Sequence, residues 1–236
     1  MSIKENFNMK KLIITMIWLG ICFPALAHQP RYVFNKGDIN EPIIVEKPEI
    51  SKAYYGKLDG RPAWYKIQNE KEFNLYLNIL APDLNDAQTD FRVEVTKDNS
   101  VVFVLEGGEW ERFFEEFAGD SYLRGPELEK IVEAGTYYVT VSNPDNQGRY
   151  CLAVGKAESF PPAEIAKTIF VLPRIKKDFF DKSPFTAFFN LVGLFLLIIL
   201  IFILLIVFAV FYLIKRLKRR KVAHLIAQNE RQCINV

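Results

Sequence analysis

Residues Phe73-Asn74-Leu75-Tyr76-Leu77-Asn78-Ile79 alternate strictly: Phe73, Leu75, Leu77 and Ile79 share one face, and Asn74, Tyr76 and Asn78 the other. A period of two is the mark of a strand with one face in a core. The pattern recurs at 90–95, where Phe91, Val93 and Val95 alternate with Asp90, Arg92 and Glu94, and at 137–141, where Tyr137, Val139 and Val141 alternate with Tyr138 and Thr140. Turn-forming stretches separate these runs: Leu58-Asp59-Gly60-Arg61-Pro62, residues 82–88, Lys97-Asp98-Asn99-Ser100 and Asn143-Pro144-Asp145-Asn146-Gln147-Gly148. Seven or eight short strands over roughly 110 residues predict an all-β fold, an antiparallel β-sandwich or jelly roll over 51–156.

Outward from this region lie two apolar runs. The first, 12–27, follows Met9-Lys10-Lys11 and closes on Ala25-Leu26-Ala27, the pattern of a secretory signal peptide cleaved between Ala27 and His28. Met1 and Met9 are alternative starts. The second, 185–214, carries no charged side chain; its core, 191–214, is long enough to cross a bilayer and apolar on every side. Lys215, Arg216, Lys218, Arg219, Arg220 and Lys221 follow it, as expected of a membrane-interface basic cluster on the cytoplasmic side. The expected order is therefore a signal peptide (1–27), an extended lead-in (28–50), the sandwich, a juxtamembrane stalk (157–184), one transmembrane helix (185–214) and a basic cytoplasmic tail (215–236).

The formal net charge of +2 hides a partition. Residues 28–183 hold 20 basic and 26 acidic side chains, a net of −6, while the balancing cations flank the apolar runs. An acidic outer domain is a poor partner for nucleic acid, and membrane lipid is the expected neighbour of the basic cluster. Cys151 is alone between 28 and 214, which excludes an intrachain disulfide there and leaves a buried strand cysteine. The two histidines, His28 and His224, fall on opposite sides of the second run, which excludes Ser-His-Asp and Cys-His nucleophile systems and a multi-histidine zinc site in the outer domain. A mature N-terminal His28 leaves an amino-terminal copper site as one alternative.

Ala134-Gly135-Thr136-Tyr137-Tyr138-Val139-Thr140-Val141-Ser142-Asn143-Pro144, followed by Gly148-Arg149-Tyr150-Cys151-Leu152-Ala153-Val154, resembles the closing hairpin of prokaryotic pre-peptidase C-terminal domains. Ala53-Tyr54-Tyr55-Gly56-Lys57-Leu58 and Ala63-Trp64-Tyr65-Lys66-Ile67 are similar to the opening hairpin of that family. The resemblance covers 51–156 and implies a β-sandwich that docks substrates or carbohydrate, although a transmembrane run follows it here.

Residues 107–133 interrupt the alternation. Trp110, Phe113, Phe114 and Phe117 have helical spacing, which predicts one aromatic helical face among Glu109, Glu111, Glu115, Glu116 and Asp120. This face either seals the end of the sandwich or forms a recognition surface of Trp110, Phe113, Phe114, Tyr122 and Arg124. Glu115 or Glu116 with Asp120 would be the carboxylates of an enzyme alternative. The Asp83–Asp90 loop begins like a calcium loop but lacks its glycine and closing glutamate, so solvated charge is the expectation, with no cofactor. Between 158 and 182, Pro161 and Pro162 predict a short helix ending at Pro173, and Lys176, Lys177 and Lys182 with Phe179, Phe180 and Phe185 suit a membrane interface. The expectation is a non-enzymatic, membrane-anchored module that recognises an extracytoplasmic protein or glycan.

Overall fold

The computed structural model describes residues 28–116, 118–159 and 161–234; the expected signal peptide with Ala27, and Phe117, lie outside them. Eleven strands among these residues form two sheets. The strands are β1 (Gln29–Tyr32), β2 (Ile43–Val45), β3 (Lys52–Asp59), β4 (Ala63–Asn69), β5 (Phe73–Pro82), β6 (Arg92–Lys97), β7 (Ser100–Leu105), β8 (Glu111–Glu115), β9 (Asp120–Val132), β10 (Gly135–Ser142) and β11 (Gln147–Val154). One sheet has the order β1-β3-β11-β5-β9-β8 and the other β2-β4-β10-β6-β7. The expected alternation thus resolves into a β-sandwich. Between the sheets lie Tyr65, Ile67, Leu75, Leu77, Ile79, Val93, Val95, Val139, Val141 and Leu152, all fully buried. Tyr65 and Tyr150 bring polar tips into this core and satisfy them by a hydroxyl–hydroxyl hydrogen bond of 2.8 Å.

The lead-in is more than extended chain. β1 adds to β3 and β2 adds to β4, both in parallel, so the segment before Ser51 supplies an edge to each sheet. Every other pairing is antiparallel. Lys52 holds the connecting loop: its buried ammonium donates to the carbonyls of Glu46, Lys47 and Ile50 at 2.7, 2.9 and 3.3 Å. Burial pushes its pKa down to about 8.

Two expectations for the flanks are corrected. Helix α1 runs from Pro162 to Asp178 and does not stop at Pro173, which lies inside it. An internal proline costs about 3 kcal/mol by deleting a hydrogen bond and crowding the preceding turn. Burial of Leu172, Ile175, Phe179 and Phe180 offsets that cost. Phe179 and Phe180, expected at a membrane interface, are also buried against the sandwich instead. Ile175, Phe179 and Phe180 pack with Ala53, Tyr55, Leu80, Tyr122, Cys151 and Ala153 on the outer face of the six-stranded sheet. That second core explains why β5 and β11 are buried on both faces where alternation alone predicts one.

A 3₁₀ turn, Pro184–Phe188, follows, and then helix α2, Leu191–Ile234. The first residues of the apolar run therefore lie outside the long helix. Within α2, Leu196–Arg219 is long and apolar enough to cross a membrane. The basic cluster continues the same helix, with Lys215, Arg216, Lys218 and Arg219 exposed. Among the described residues, those up to Val192 form one compact unit, and α2 from Gly193 onward belongs to another.

Candidate functional site

The 107–133 segment is a β-hairpin, not a helix. β8 pairs antiparallel with β9, with Phe113 opposite Tyr122 and Glu115 opposite Asp120. The helical spacing of its aromatics was coincidental; pairing with β9 satisfies the backbone of β8 and sends successive side chains to opposite faces. Trp110 enters the inter-sheet core, 6.2 Å from the Phe91 ring, and its indole nitrogen has no hydrogen-bond partner. Gly125 lies beneath it, and a Cβ there would come within 2.7 Å of the indole ring. Phe113 and Tyr122 turn the other way, toward α1. Tyr122 is buried, shares a 2.8 Å hydroxyl hydrogen bond with Tyr55, and has its pKa pushed well up by burial. The Arg124 guanidinium sits 3.8 Å above the Phe113 ring. Phe114 alone of the described hairpin aromatics is largely exposed, at 58%. These five residues therefore do not share one surface.

The start of β9 carries the densest electrostatics of the domain. Asp120, 1% exposed, accepts from Lys176 at 2.5 Å and from Lys182 at 2.9 Å. Lys176 is also buried and donates to the Ala118 carbonyl at 2.7 Å, which Asn190 contacts at the same distance. Glu115 accepts from the Ala118 backbone N–H at 2.6 Å. Glu115 and Asp120, two of the carboxylates considered for acid–base chemistry, thus serve the hairpin turn and its attachment to the helix. No sequence signal marked this cluster, because Asp120 and Lys176 are 56 positions apart.

A cleft of about 640 Å³ lies between the lead-in and α1, lined by Arg31, Lys36, Lys52, Tyr54, Arg61 and Glu164 among others. Glu164 meets Arg31 at 2.7 Å and Lys167 at 2.9 Å. Burial works to raise its pKa, but Lys167 and Arg31 outweigh it and hold the carboxyl below its usual range. The cleft's walls come from both ends of the domain and mix both charge signs, so no local motif announced it.

Potential metal donors are otherwise engaged. Asp83 pairs with Arg112 at 3.3 Å and Asp90 accepts from Asn143 at 3.1 Å. His28 is hydrogen-bonded through Nδ1 to the Ser51 hydroxyl. Among the described residues no group of three or more His, Cys, Asp or Glu is placed to hold a metal ion.

The two outer sheet faces differ. α1 covers Ala53, Tyr55, Leu80, Tyr122, Cys151 and Ala153 on the six-stranded sheet, whereas the outward residues of the five-stranded sheet remain accessible. Pairing places Val104, Glu94, Thr140 and Trp64 in one outward row and Thr96, Tyr138, Lys66 and Ile44 in the next. Ile44 is 60% exposed on β2, one edge of this sheet, and Val102 and Val104 are each 40% exposed on β7, the other edge.

The class these features define is a two-sheet β-sandwich followed by one helix long enough to span a membrane. No family model and no curated protein matches the chain. Among solved structures, it aligns with the pre-peptidase C-terminal domain of a collagenase from Bacillus anthracis at 10% identity, over 55% of this chain and 95% of that one, with a TM-score of 0.30. It also aligns with β-glucosidases from Paenibacillus barengoltzii (11% identity, 55% of this chain, TM-score 0.24) and Kluyveromyces marxianus (12%, 48%, TM-score 0.24). It covers only 14% and 13% of those enzymes.

Proposed function

We propose that the chain is a non-enzymatic accessory module, exported by residues 1–27, anchored by α2 with its C-terminus in the cytoplasm, and docking a neighbouring membrane protein through the open five-stranded sheet. The observation that carries this is the asymmetry of the sandwich. One outer face is partly covered by α1, which a buried ion pair fixes in place, while the other exposes Val102 and Val104 on the edge strand β7, Tyr138 nearer its middle and Ile44 on the opposite edge strand β2. An open edge of uncharged β-branched residues is what natural sheets avoid unless another strand covers it. The partner chemistry it fits is an apolar extended segment adding beside β7. Attachment of α1 and the following turn to Asp120 and Ala118 supports a partner at the same membrane, since the module is not carried on a long free tether.

The test is site-specific photo-crosslinking in the native membrane from Val104 and Tyr138, with Ile131 as a control position away from the five-stranded sheet. One partner captured from Val104 and lost in Val102→Glu/Val104→Glu, with an unchanged melting profile, supports the proposal. Equal capture from Ile131, or capture that survives the double substitution, overturns it. Glycan binding by the purified chain that is lost in Trp64→Ala would replace the protein partner by a carbohydrate.

A further inference from the structure

Taking α2 as a membrane span, as proposed above, we infer that residues 184–189 rest on the outer leaflet, with Phe185, Phe188 and Phe189 inserted at the boundary between headgroups and acyl chains. These three rings are 74%, 43% and 85% exposed, while Ala187 between them is fully buried. A 3₁₀ turn that buries its alanine and turns its phenylalanines outward has its apolar surface on the solvent side, which is costly in water and favourable at a bilayer surface. The occupant follows from chain continuity. Phe189 lies two residues before α2 begins and seven before the Leu196–Arg219 span, about 10 Å at helical rise. Only a lipid surface is guaranteed to be that close.

The segment is also fixed to the domain. Arg149 pairs with Asp181 at 2.7 Å and donates to the Phe179 carbonyl at 3.2 Å. Lys182 pairs with Asp120 at 2.9 Å, and Asn190 donates to the Ala118 carbonyl at 2.7 Å. The turn bearing Ala118 and Asp120 is therefore held next to this segment. Lys177 and the half-exposed Lys182 supply cations suited to lipid phosphates nearby. From Asp120 to the exposed Ile131, β9 runs 11 residues, about 36 Å at strand rise, so Ile131 is a reference position far from this segment.

The experiment uses the full chain in vesicles of phosphatidylcholine and phosphatidylglycerol, with and without lipids brominated near the headgroup end of the acyl chain. Phe185→Trp, Phe189→Trp and Ile131→Trp are compared with the parent chain and its own tryptophans. The inference expects Trp at 185 and 189 to lose about half or more of its added emission to bromine, as for rings buried 5–10 Å into the boundary, and Trp at 131 to lose none. Blue-shifted emission at 185 and 189 without bromine quenching means that protein covers the rings, and overturns the inference. Equal quenching at 131 means that lipid contact is not confined to this segment, and overturns the inference. Resistance to alkaline carbonate extraction reports the span separately: a released chain refutes the anchor itself, whereas a retained but unquenched chain refutes only the lipid contact of the phenylalanines.

Discussion

Replacing Asp120 by alanine should be among the most destabilising single changes in the domain. The Lys176 side chain is 2% exposed, and without Asp120 its ammonium keeps only the Ala118 carbonyl among its described acceptors. An ammonium left without its counter-ion in a buried site costs about 3–5 kcal/mol. Lys182 contacts the same carboxylate but is 42% exposed, so Lys182→Ala should cost no more than about 1 kcal/mol. Lys176→Met retains the stem and leaves Asp120 with Lys182, so about 1.5–3 kcal/mol is expected for the lost charged hydrogen bond. The double variant Asp120→Ala/Lys176→Met should recover much of the first loss, because neither charge is then buried alone. Urea unfolding of the full chain in detergent, followed by aromatic fluorescence, gives all four stabilities and the coupling from the double-mutant cycle. A cost below about 1 kcal/mol for Asp120→Ala, or zero coupling with Lys176, would refute the idea that α1 is bolted to the sandwich through this pair.

Other expectations are open to measurement. Phe179→Ala, which empties a fully buried ring site between Tyr55 and Tyr122, should cost about 3–5 kcal/mol and expose α1 to limited proteolysis. Gly56→Ala places a Cβ within 2.6 Å of the Tyr150 ring and hydroxyl, so a loss of about 1–3 kcal/mol is expected in thermal melts. Glu164 has a folded pKa below its unfolded value, so its contribution is complete above about pH 4.5 and fades as pH falls through the lower folded value. Acid titration of Glu164→Gln should therefore show a shallower decline in stability than the parent. Burial raises the Cys151 thiol far above its usual range, and mass spectrometry should find it unlabelled by maleimide until the chain is denatured.

The sandwich was legible where one face met water. β4, β6 and β10 alternate cleanly because the outer face of their sheet is open, and period two survives in the residue types. In β11 the outward positions Cys151 and Ala153 meet α1, so the pattern blurs into a continuous buried run. The hairpin at 107–133 was misread because Trp110, Phe113, Phe114 and Phe117 satisfy a helical period, while the pairing that decides the matter lies in residues 120–124. Lys176 reads from sequence as a solvated cation among Lys177 and Lys182; only a partner 56 residues earlier makes it an interior residue. Among the hairpin candidates, composition revealed which residues were large and aromatic but not which sheet face each would occupy. The cleft walls, drawn from residues 31–61 and from Glu164 and Lys167, depend entirely on where the two ends of the domain meet.

That meeting has a consequence for the order of events during synthesis. The Tyr32 hydroxyl donates to the Asp178 carboxylate across 146 positions, Arg31 pairs with Glu164, and the Ser51 amide donates to the Ala157 carbonyl. A ribosome releases β1 long before α1 exists, so the first edge strand must wait, half-partnered, for that helix. Contacts of such long sequence separation slow the closing step of folding. A chain truncated between residues 157 and 162 would hold every strand of the sandwich yet lack the helix that covers Cys151, Ala153 and Tyr122, leaving a large apolar sheet face for chaperones or proteases to find.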